Sequence, residues 1–132
     1  MVLSTWVESR VLEMSAWRKL RKEEAALVTA MVRNSPNADE LLRSLSARLV
    51  EDMSDGGMRS VRFRAADNRQ RRFGQKIAEA EFTDEDGTLV SAVVNVDQNG
   101  ELFELDIWKV DFSPLKRYPR PEELHLKPVG VA

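Results

Sequence analysis

Apolar and polar residues alternate along the second half of the chain in the pattern typical of β-strands. The longest such stretch, residues 102–112, follows Asn99-Gly100, the dipeptide that most strongly favours a two-residue hairpin turn. Because side chains alternate between the two faces of a strand, this turn fixes which residues lie opposite each other. The predicted inner-face pairs are Val96–Phe103, Val94–Leu105, Ala92–Ile107 and Val90–Lys109, and the outer-face pairs are Asn95–Glu104, Val93–Asp106 and Ser91–Trp108. The inner face is apolar except for Lys109, which predicts a hairpin with one buried face.

The preceding turn, over residues 84–87, is predicted from the requirement that the apolar face continue into the next strand. A two-residue loop would place Glu81 in the core, whereas a three-residue loop with Gly87 in the left-handed conformation keeps it outside. The predicted pairs are then Phe82–Val90, Ala80–Ala92 and Ala78–Val94. This register places Glu79 and Glu81 on the outer face, beside the acids of the second hairpin.

A further strand is predicted over residues 58–64, where Val61 and Phe63 alternate with Arg62 and Arg64. If this strand lies beside residues 76–83, its arginines would partly neutralise the outer acids. A short strand over residues 49–53 is also compatible with the sequence.

Two helices are predicted before the strands. Apolar residues recur at three- and four-residue spacing over residues 20–32, and the break at residues 34–37 ends this helix. The second helix begins at this break, with Ser35 or Asn37 as alternative caps. Its apolar stripe consists of Leu41, Leu42, Leu45 and Leu49.

Helices followed by hairpins predict an α+β fold, with two N-terminal helices packed on one face of an antiparallel β-meander of about four strands. The predicted organisation is an N-terminal extension with an amphipathic helical pattern over residues 1–16, a single domain over residues 17–112, and a proline-containing C-terminal strap over residues 113–132. The residues expected to attach the strap to the domain are Leu115, Tyr118 and Leu124.

Composition narrows the class of protein. The 132 residues are 42% hydrophobic and 32% charged, with a formal net charge of −2, which is ordinary for one globular domain. A chain with this charge is not drawn as a whole to nucleic acid or to an anionic membrane. The absence of cysteine excludes disulfides, thiolate metal sites and cysteine nucleophiles. No apolar run has the length of a membrane span, and the N-terminus lacks the pattern of a signal peptide, so we expect a cytoplasmic location.

The outer face of the predicted sheet is the candidate binding site. It gathers four carboxylates and a large aromatic side chain: Glu79, Glu81, Glu104, Asp106 and Trp108. Carboxylates two apart on a strand lie roughly 7 Å from each other, a spacing that acid and base chemistry tolerates. An acidic sheet face is more often a solvated surface, however, and a tryptophan among polar residues often anchors an interface. We therefore predict a partner-binding face for another protein, with no catalytic residues, no cofactor and no metal site.

A basic stretch supplies an alternative site. It contains Arg69, Arg71, Arg72 and Lys76, with Phe73 among them. Positive charge interleaved with an aromatic ring suits single-stranded nucleic acid. The stretch is short, and it suits a rim contact with an acidic protein as well.

Four segments of the chain together carry a resemblance to known proteins. They are WRKL at residues 17–20 with Glu23-Glu24, GGMRS at residues 56–60, EFTDEDG at residues 81–87, and LFELDIWKVDF at residues 102–112, which continues into Pro114-Leu115. Together they resemble a family of small uncharacterised bacterial domains, over roughly residues 17–119. The resemblance implies a bacterial, soluble, single-domain protein, and it supplies no catalytic residues because the family has no established activity.

Two main classes of function follow. The first is a non-enzymatic protein-binding module, and its sharpest form is an immunity-type protein that blocks a basic toxin surface with the acidic face. The second is a nucleic-acid-binding or regulatory accessory protein that contacts phosphates through residues 69–76. An enzyme is the third class, and it would need a concave pocket in which an outer carboxylate has a shifted pKa.

Overall fold

A seven-stranded antiparallel sheet dominates the computed structural model of the chain, which describes residues 17–65, 67 and 70–129. The strands are β1 (Arg18–Lys19), β2 (Leu49–Asp52), β3 (Val61–Phe63), β4 (Phe73–Thr83), β5 (Leu89–Asp97), β6 (Leu102–Lys109) and β7 (His125–Lys127). The helices are α1 (Lys22–Val32) and α2 (Ala38–Arg43), with 3₁₀ turns at Leu45–Ala47 and Pro121–Glu123. Neighbouring strands follow the order β1-β2-β3-β6-β5-β4-β7.

The prediction of two helices packed on a meander of about four strands is wrong. The fold is dominated by its sheet, and both helices are short. Strands β1 and β7 have only two and three residues, too few to show a period of two in the sequence. Strand β7 also comes from the segment predicted as an irregular strap, because its backbone pairs with the free edge of β4.

The hairpin of β4 and β5 has the predicted register. Phe82 lies opposite Val90, Ala80 opposite Ala92 and Ala78 opposite Val94. The Asp84 amide donates to the Thr88 carbonyl at 2.9 Å, which closes a three-residue loop, and Gly87 has a φ of 81°. A left-handed residue at this position is what a three-residue hairpin loop requires, and glycine adopts it without strain.

The hairpin of β5 and β6 reaches its predicted register by a different turn. The loop has three residues, because the Asp97 amide donates to the Glu101 carbonyl at 2.8 Å and Asp97 Oδ1 accepts hydrogen bonds from the amides of Asn99 and Glu101. The prediction of a two-residue loop, with Val96 opposite Phe103, is therefore wrong, and Val96 pairs with Leu102 instead. A bulge after that pair restores the predicted register from Asn95–Glu104 to Val90–Lys109.

Strand β3 does not lie beside β4. It pairs with β6 on one side, where Arg62 is opposite Glu104, and with β2 on the other. The position beside β4, where the sequence suggested β3, is occupied by β7. The arginine therefore reaches the acids from the β6 side of the sheet.

Helix α1 covers the inner face of the sheet and forms the core with it. Leu27, Val28 and Met31 are buried there, and the Ser35 hydroxyl, at the predicted end of the helix, donates to the Ile77 carbonyl of β4 at 3.0 Å. Of the two alternative caps for α2, the backbone selects Asn37, although its side chain forms no capping hydrogen bond. The strap packs as expected, with Leu115 and Tyr118 buried and Leu124 partly buried. None of the described helices is long and apolar enough to cross a membrane.

Candidate functional site

The outer face of the sheet, opposite the helices, carries all five residues of the predicted binding face. The strand registers align them in three rows: Glu81–Ser91–Trp108, Glu79–Val93–Asp106 and Lys76–Asn95–Glu104–Arg62. Strands lie about 4.8 Å apart, so the two acids of the middle row are separated by roughly 10 Å across Val93. The predicted clustering on one face is therefore correct, but the acids do not converge on one point.

Most of the outer carboxylates are paired with cations of the same chain. The ion pairs, measured between nitrogen and oxygen, are Lys76–Glu79 at 2.5 Å, Lys127–Glu81 at 2.8 Å and Arg62–Glu104 at 2.9 Å. The hydrogen bond from Lys76 is the main reason that the pKa of Glu79 lies below its ordinary value. These pairs neutralise much of the negative charge that the sequence suggested for this face.

Asp106 is in a different environment from the other outer acids. It accepts a hydrogen bond from Asn95 Nδ2 at 2.9 Å, and it forms no ion pair with any cation in the described part of the chain. Burial raises its pKa to about 6, with repulsion from Glu104 adding to the effect. The ionised form of Asp106 is therefore disfavoured in the folded protein, and a nearby cation would stabilise it.

Next to Asp106, the end of the outer face is apolar and exposed. Four large side chains form this region, which we call the Trp108 patch: Leu89 (43% exposed), Trp108 (50%), Val110 (43%) and Phe112 (66%). The Trp108 and Phe112 ring centroids lie 6.0 Å apart, in a tilted arrangement. Exposed aromatic side chains in contact with one another are uncommon on a monomer surface away from binding sites.

Only Trp108 was selected from this patch by its sequence pattern. Val110 and Phe112 continue the same outer-face spacing, two and four residues further along. That spacing was a usable signal, but exposure depends on the backbone beyond β6. There the Phe112 amide donates to the Lys109 carbonyl at 2.9 Å, and Phe112 has a left-handed φ of 62°, so the chain turns and leaves the ring in solvent.

A buried ion cluster supports the patch from the inner side. The Lys109 ammonium is fully buried and donates to Asp84 at 2.8 Å, to Asp86 at 2.7 Å and to the Pro114 carbonyl at 3.2 Å. Burial lowers the pKa of Lys109, but the two carboxylates outweigh it and hold that pKa above its ordinary value. The cluster fastens the end of β6 to the preceding turn and to the strap.

Asp84 completes the cluster by binding backbone amides. Its oxygens accept hydrogen bonds from the amides of Lys116 at 2.8 Å and Arg117 at 3.1 Å, as well as from Glu85. Burial raises the pKa of Asp84, but Lys109 and these amides keep it below its ordinary value. Asp84 therefore ties the turn between β4 and β5 to the end of β6 through Lys109, and to the strap through the amides of Lys116 and Arg117.

A second buried cluster is centred on Glu24. Its carboxylate receives a bidentate hydrogen bond from Arg18, at 2.8 Å to each oxygen, and further bonds from the Arg21 amide at 2.7 Å and the Tyr118 hydroxyl at 3.2 Å. Arg18 also bridges to Asp52 at 2.7 Å. This cluster joins α1, β1, β2 and the strap at the side of the sheet remote from β7.

Both buried clusters use residues from three of the four segments that resemble a known family. Arg18 and Glu24 come from the first segment, Asp84 and Asp86 from the third, and Lys109 from the last. A family described as a domain of unknown function (DUF6984) matches residues 17–119. The chain belongs to this family. The matched region includes both clusters and the Trp108 patch, and it ends before β7.

No curated protein and no solved structure matches the chain of this DUF6984 domain. Its site is therefore interpreted from its own residues.

The basic stretch of the DUF6984 domain is dispersed by the fold. Arg71 is mostly buried and donates to Asp97 at 2.8 Å and to the carbonyls of Phe63 and Leu102. Arg72 is exposed, Lys76 is paired with Glu79 on the outer face, and Arg69 lies outside the described residues. Two of the four predicted phosphate contacts are thus engaged in contacts within the chain.

Among the residues that the structure describes, no group of three or more histidines and acids has the arrangement of a metal site. His125 lies on β7 opposite Glu81, and it is exposed.

We expect the replacement Asp106→Asn to stabilise the DUF6984 domain. Because the pKa of Asp106 is raised, the folded state holds its proton more tightly than the unfolded state, and stability falls as pH rises from about 4 through 6. An asparagine still accepts from Asn95 but carries no charge, so the free energy of unfolding should rise by about 1–2 kcal/mol at pH 7.5. Urea denaturation at pH 7.5 and 4.5 measures this difference, which should shrink to roughly a third at the lower pH, where Asp106 of the unfolded chain is still mostly ionised. An equal effect at both pH values would contradict it.

Proposed function

We propose that this chain is a non-enzymatic protein-binding module whose contact surface is the Trp108 patch with the adjoining acids of the outer face. The observation that carries the proposal is the exposure of Trp108 and Phe112 in contact with each other at the end of the sheet. Aromatic side chains are the commonest energetic anchors of protein interfaces, because they bury a large area with few rotatable bonds.

The acids next to the patch support the same function. Glu81 lies in the row of Trp108, and Asp106 lies two residues before it on the same strand. An apolar centre with a charged rim is the usual anatomy of a protein interface. The ion pairs of Glu79, Glu81 and Glu104 are solvent-accessible, so a partner can exchange them for its own charges at little cost.

An immunity-type role is the sharpest form of this proposal. In it, a bacterial, cytoplasmic protein of this family blocks a toxin whose surface is apolar and basic, and the outer acids orient the encounter. Cells that produce such a toxin should survive when this chain is co-expressed. Loss of that protection on replacement of Trp108 would support this form of the proposal.

The broader proposal is tested by comparing two exposed aromatic residues. The replacement Trp108→Ala removes the centre of the patch, whereas Phe73→Ala removes a ring of similar exposure at the other end of the sheet, on β4. A partner is purified from host lysate, and its affinity for each variant is measured by biolayer interferometry. We expect the affinity to be at least tenfold weaker for Trp108→Ala than for the wild-type chain, and unchanged for Phe73→Ala. Circular dichroism establishes that both variants fold. Equal binding of the two variants would contradict the proposal.

Nucleic-acid binding is the second candidate, and one observation favours it. A groove of about 560 Å³ lies at the β3 side of the sheet. Its lining contains the aromatic residues Trp17, Phe63 and Phe103, the arginines Arg62, Arg64 and Arg71, the acids Glu51 and Asp67, and Ala65. The Arg64 guanidinium lies 5.9 Å from the centre of the Trp17 ring, an arrangement that bases and phosphates can both contact. In the same experiment, a nuclease-sensitive partner that is retained by Trp108→Ala and lost by Arg64→Gln would favour this candidate.

A further inference from the structure

We propose that the partner presents an arginine within an apolar segment, and that its guanidinium binds between the Trp108 ring and the Asp106 carboxylate. This inference rests on the protein-binding function proposed above, and it specifies the chemistry of the partner. The two residues are two apart on β6 and point to the same face, so their Cα atoms lie roughly 7 Å from each other. At that spacing, a guanidinium that stacks on the ring can also donate hydrogen bonds to the acid.

The charges around Asp106 favour the arrival of a cation. Burial is the main cause that opposes its ionisation, and repulsion from Glu104 on the same strand adds to it. The hydrogen bond from Asn95 and the charge of Arg62 favour ionisation, and Asp55 in the loop before β3 opposes it to a smaller extent. On β5 the facing groups are Val93 and Asn95, which carry no charge. A partner cation would relieve both the burial and the repulsion that Asp106 experiences when it is ionised.

The cations among the described residues form no ion pair with Asp106. Lys76 and Lys127 pair with the acids of β4, and Arg62 pairs with Glu104 at 2.9 Å. In the described residues, the hydrogen bond from Asn95 is the contact that Asp106 receives in place of an ion pair. Among the described residues, Asp106 therefore differs from the three other acids of the face in having no cation of the chain as a partner.

The neighbourhood of the tryptophan selects arginine over lysine. A guanidinium is planar, stacks on an indole ring, and can donate two parallel hydrogen bonds to one carboxylate. A lysine ammonium is a strongly hydrated point charge and satisfies only one of these contacts well. Leu89, Val110 and Phe112 would then receive the apolar residues on either side of the arginine, because they continue the exposed surface beyond Trp108.

The probe for this inference is a library of random dodecapeptides displayed on phage. The library is selected on the full chain at pH 7.5 and depleted on the Trp108→Ala variant. We expect the enriched peptides to share an arginine next to apolar residues. Synthetic copies should bind at least tenfold more weakly when that arginine is replaced by glutamine, and also when Asp106 is replaced by asparagine. The matched control is Glu122→Gln, an exposed acid on the Pro121–Glu123 turn, which should leave the affinity unchanged.

The pH dependence supplies an independent readout. Because binding requires ionised Asp106, the affinity for the arginine peptide should fall as pH is lowered from 7.5 to 5. The residual affinity of the Asp106→Asn variant should change little over the same range. The Asp106→Asn variant is expected to fold and to be at least as stable as the wild-type chain. Loss of structure is then excluded as the cause of its weaker binding.

The outcomes separate this inference from the function on which it rests. Peptides that depend on Trp108 but lack arginine, or that bind Asp106→Asn equally well, would overturn the inference and leave a protein-binding patch of purely apolar preference. A library without any Trp108-dependent peptide would contradict both. A concentration-dependent dimer in sedimentation, abolished by Trp108→Ala, would overturn the inference by showing that the occupant is a second copy of the chain.

Discussion

Replacement of Asp84 by alanine is expected to destabilise the protein by about 3–5 kcal/mol, the usual cost of removing one partner of a buried ion pair. Asp84 is almost fully buried, and its loss leaves the Lys109 ammonium with one carboxylate fewer in the protein interior. The amides of Lys116 and Arg117 lose their acceptor at the same time. Urea denaturation measures the change, and the melting temperature should fall by roughly 15 °C or more.

The neighbouring Glu85 provides the matched control for Asp84. It lies in the same turn and is exposed, so Glu85→Ala should change the free energy of unfolding by less than about 0.5 kcal/mol. The double replacement Asp84→Ala with Lys109→Met should recover part of the stability lost by Asp84→Ala alone, because it removes both buried charges. Similar losses for Asp84→Ala and Glu85→Ala would show that the cluster does not hold the strap.

Replacement of Glu24 by alanine is the second change with a large expected effect, about 2–4 kcal/mol. The fully buried Glu24 carboxylate accepts five hydrogen bonds, two from Arg18, two from Arg21 and one from Tyr118. Without it, the Tyr118 hydroxyl loses its acceptor, and among the described residues the exposed Asp52 is the acidic partner that remains for Arg18. Thermal denaturation by circular dichroism measures the loss.

The control for Glu24 is the preceding residue. Glu23 is exposed in the same first turn of α1, and Glu23→Ala should cost only a few tenths of a kcal/mol through the helix dipole. Hydrogen exchange gives a local readout: in Glu24→Gln, the amides of residues 115–118 should exchange faster than those of β4 and β5. Uniform acceleration over the whole sheet would contradict a specific link between Glu24 and the strap.

The dependence of folding stability on pH in the acid range follows largely from the carboxylates of Glu24 and Asp84. The pKa values of Glu24 and Asp84 are lowered in the folded protein. Their contribution is therefore complete above their ordinary values of 4.5 and 3.8, and it is lost as pH falls through the lower values of the folded state. Asp106 acts in the opposite direction, since its raised pKa makes the folded state relatively more stable below pH 6. Acid unfolding should consequently begin only below about pH 4.

Among the candidate site residues, sequence reasoning identified Trp108 and the four outer acids as neighbours on one face. It did not identify which acids are paired, because Lys127 comes from a strand of three residues at the far end of the chain. Sequence reasoning also treated Lys109 as the exception on an apolar face, and it did not predict the ion pairs of Lys109 with Asp84 and Asp86. Lys109 could have been matched with these acids, since the predicted register places Lys109 and Val90 next to the turn that contains them.

The sequence by itself determined the local pairing of the sheet. Side chains alternate along each strand, and a register error of one residue would place Glu81 or Asp106 in the core, so the apolar pattern admits one register for each hairpin. That constraint was strong enough to give the correct pairs in the body of β5 and β6, although the turn between them is one residue longer than expected.

Only the tertiary structure decided which non-adjacent strands meet. The pairing of β3 with β6, and of β7 with β4, joins residues about 40 or more positions apart, and no local period records such contacts. The pairing is favoured by the burial of the inner face and by the two ion clusters, which fasten β1, the start of α1 and residues 114–118 to the sheet. The same global packing leaves Trp108 and Phe112 in solvent, because the inward-facing Lys109 between them is held by Asp84 and Asp86 while the aromatic rings lie on the opposite side.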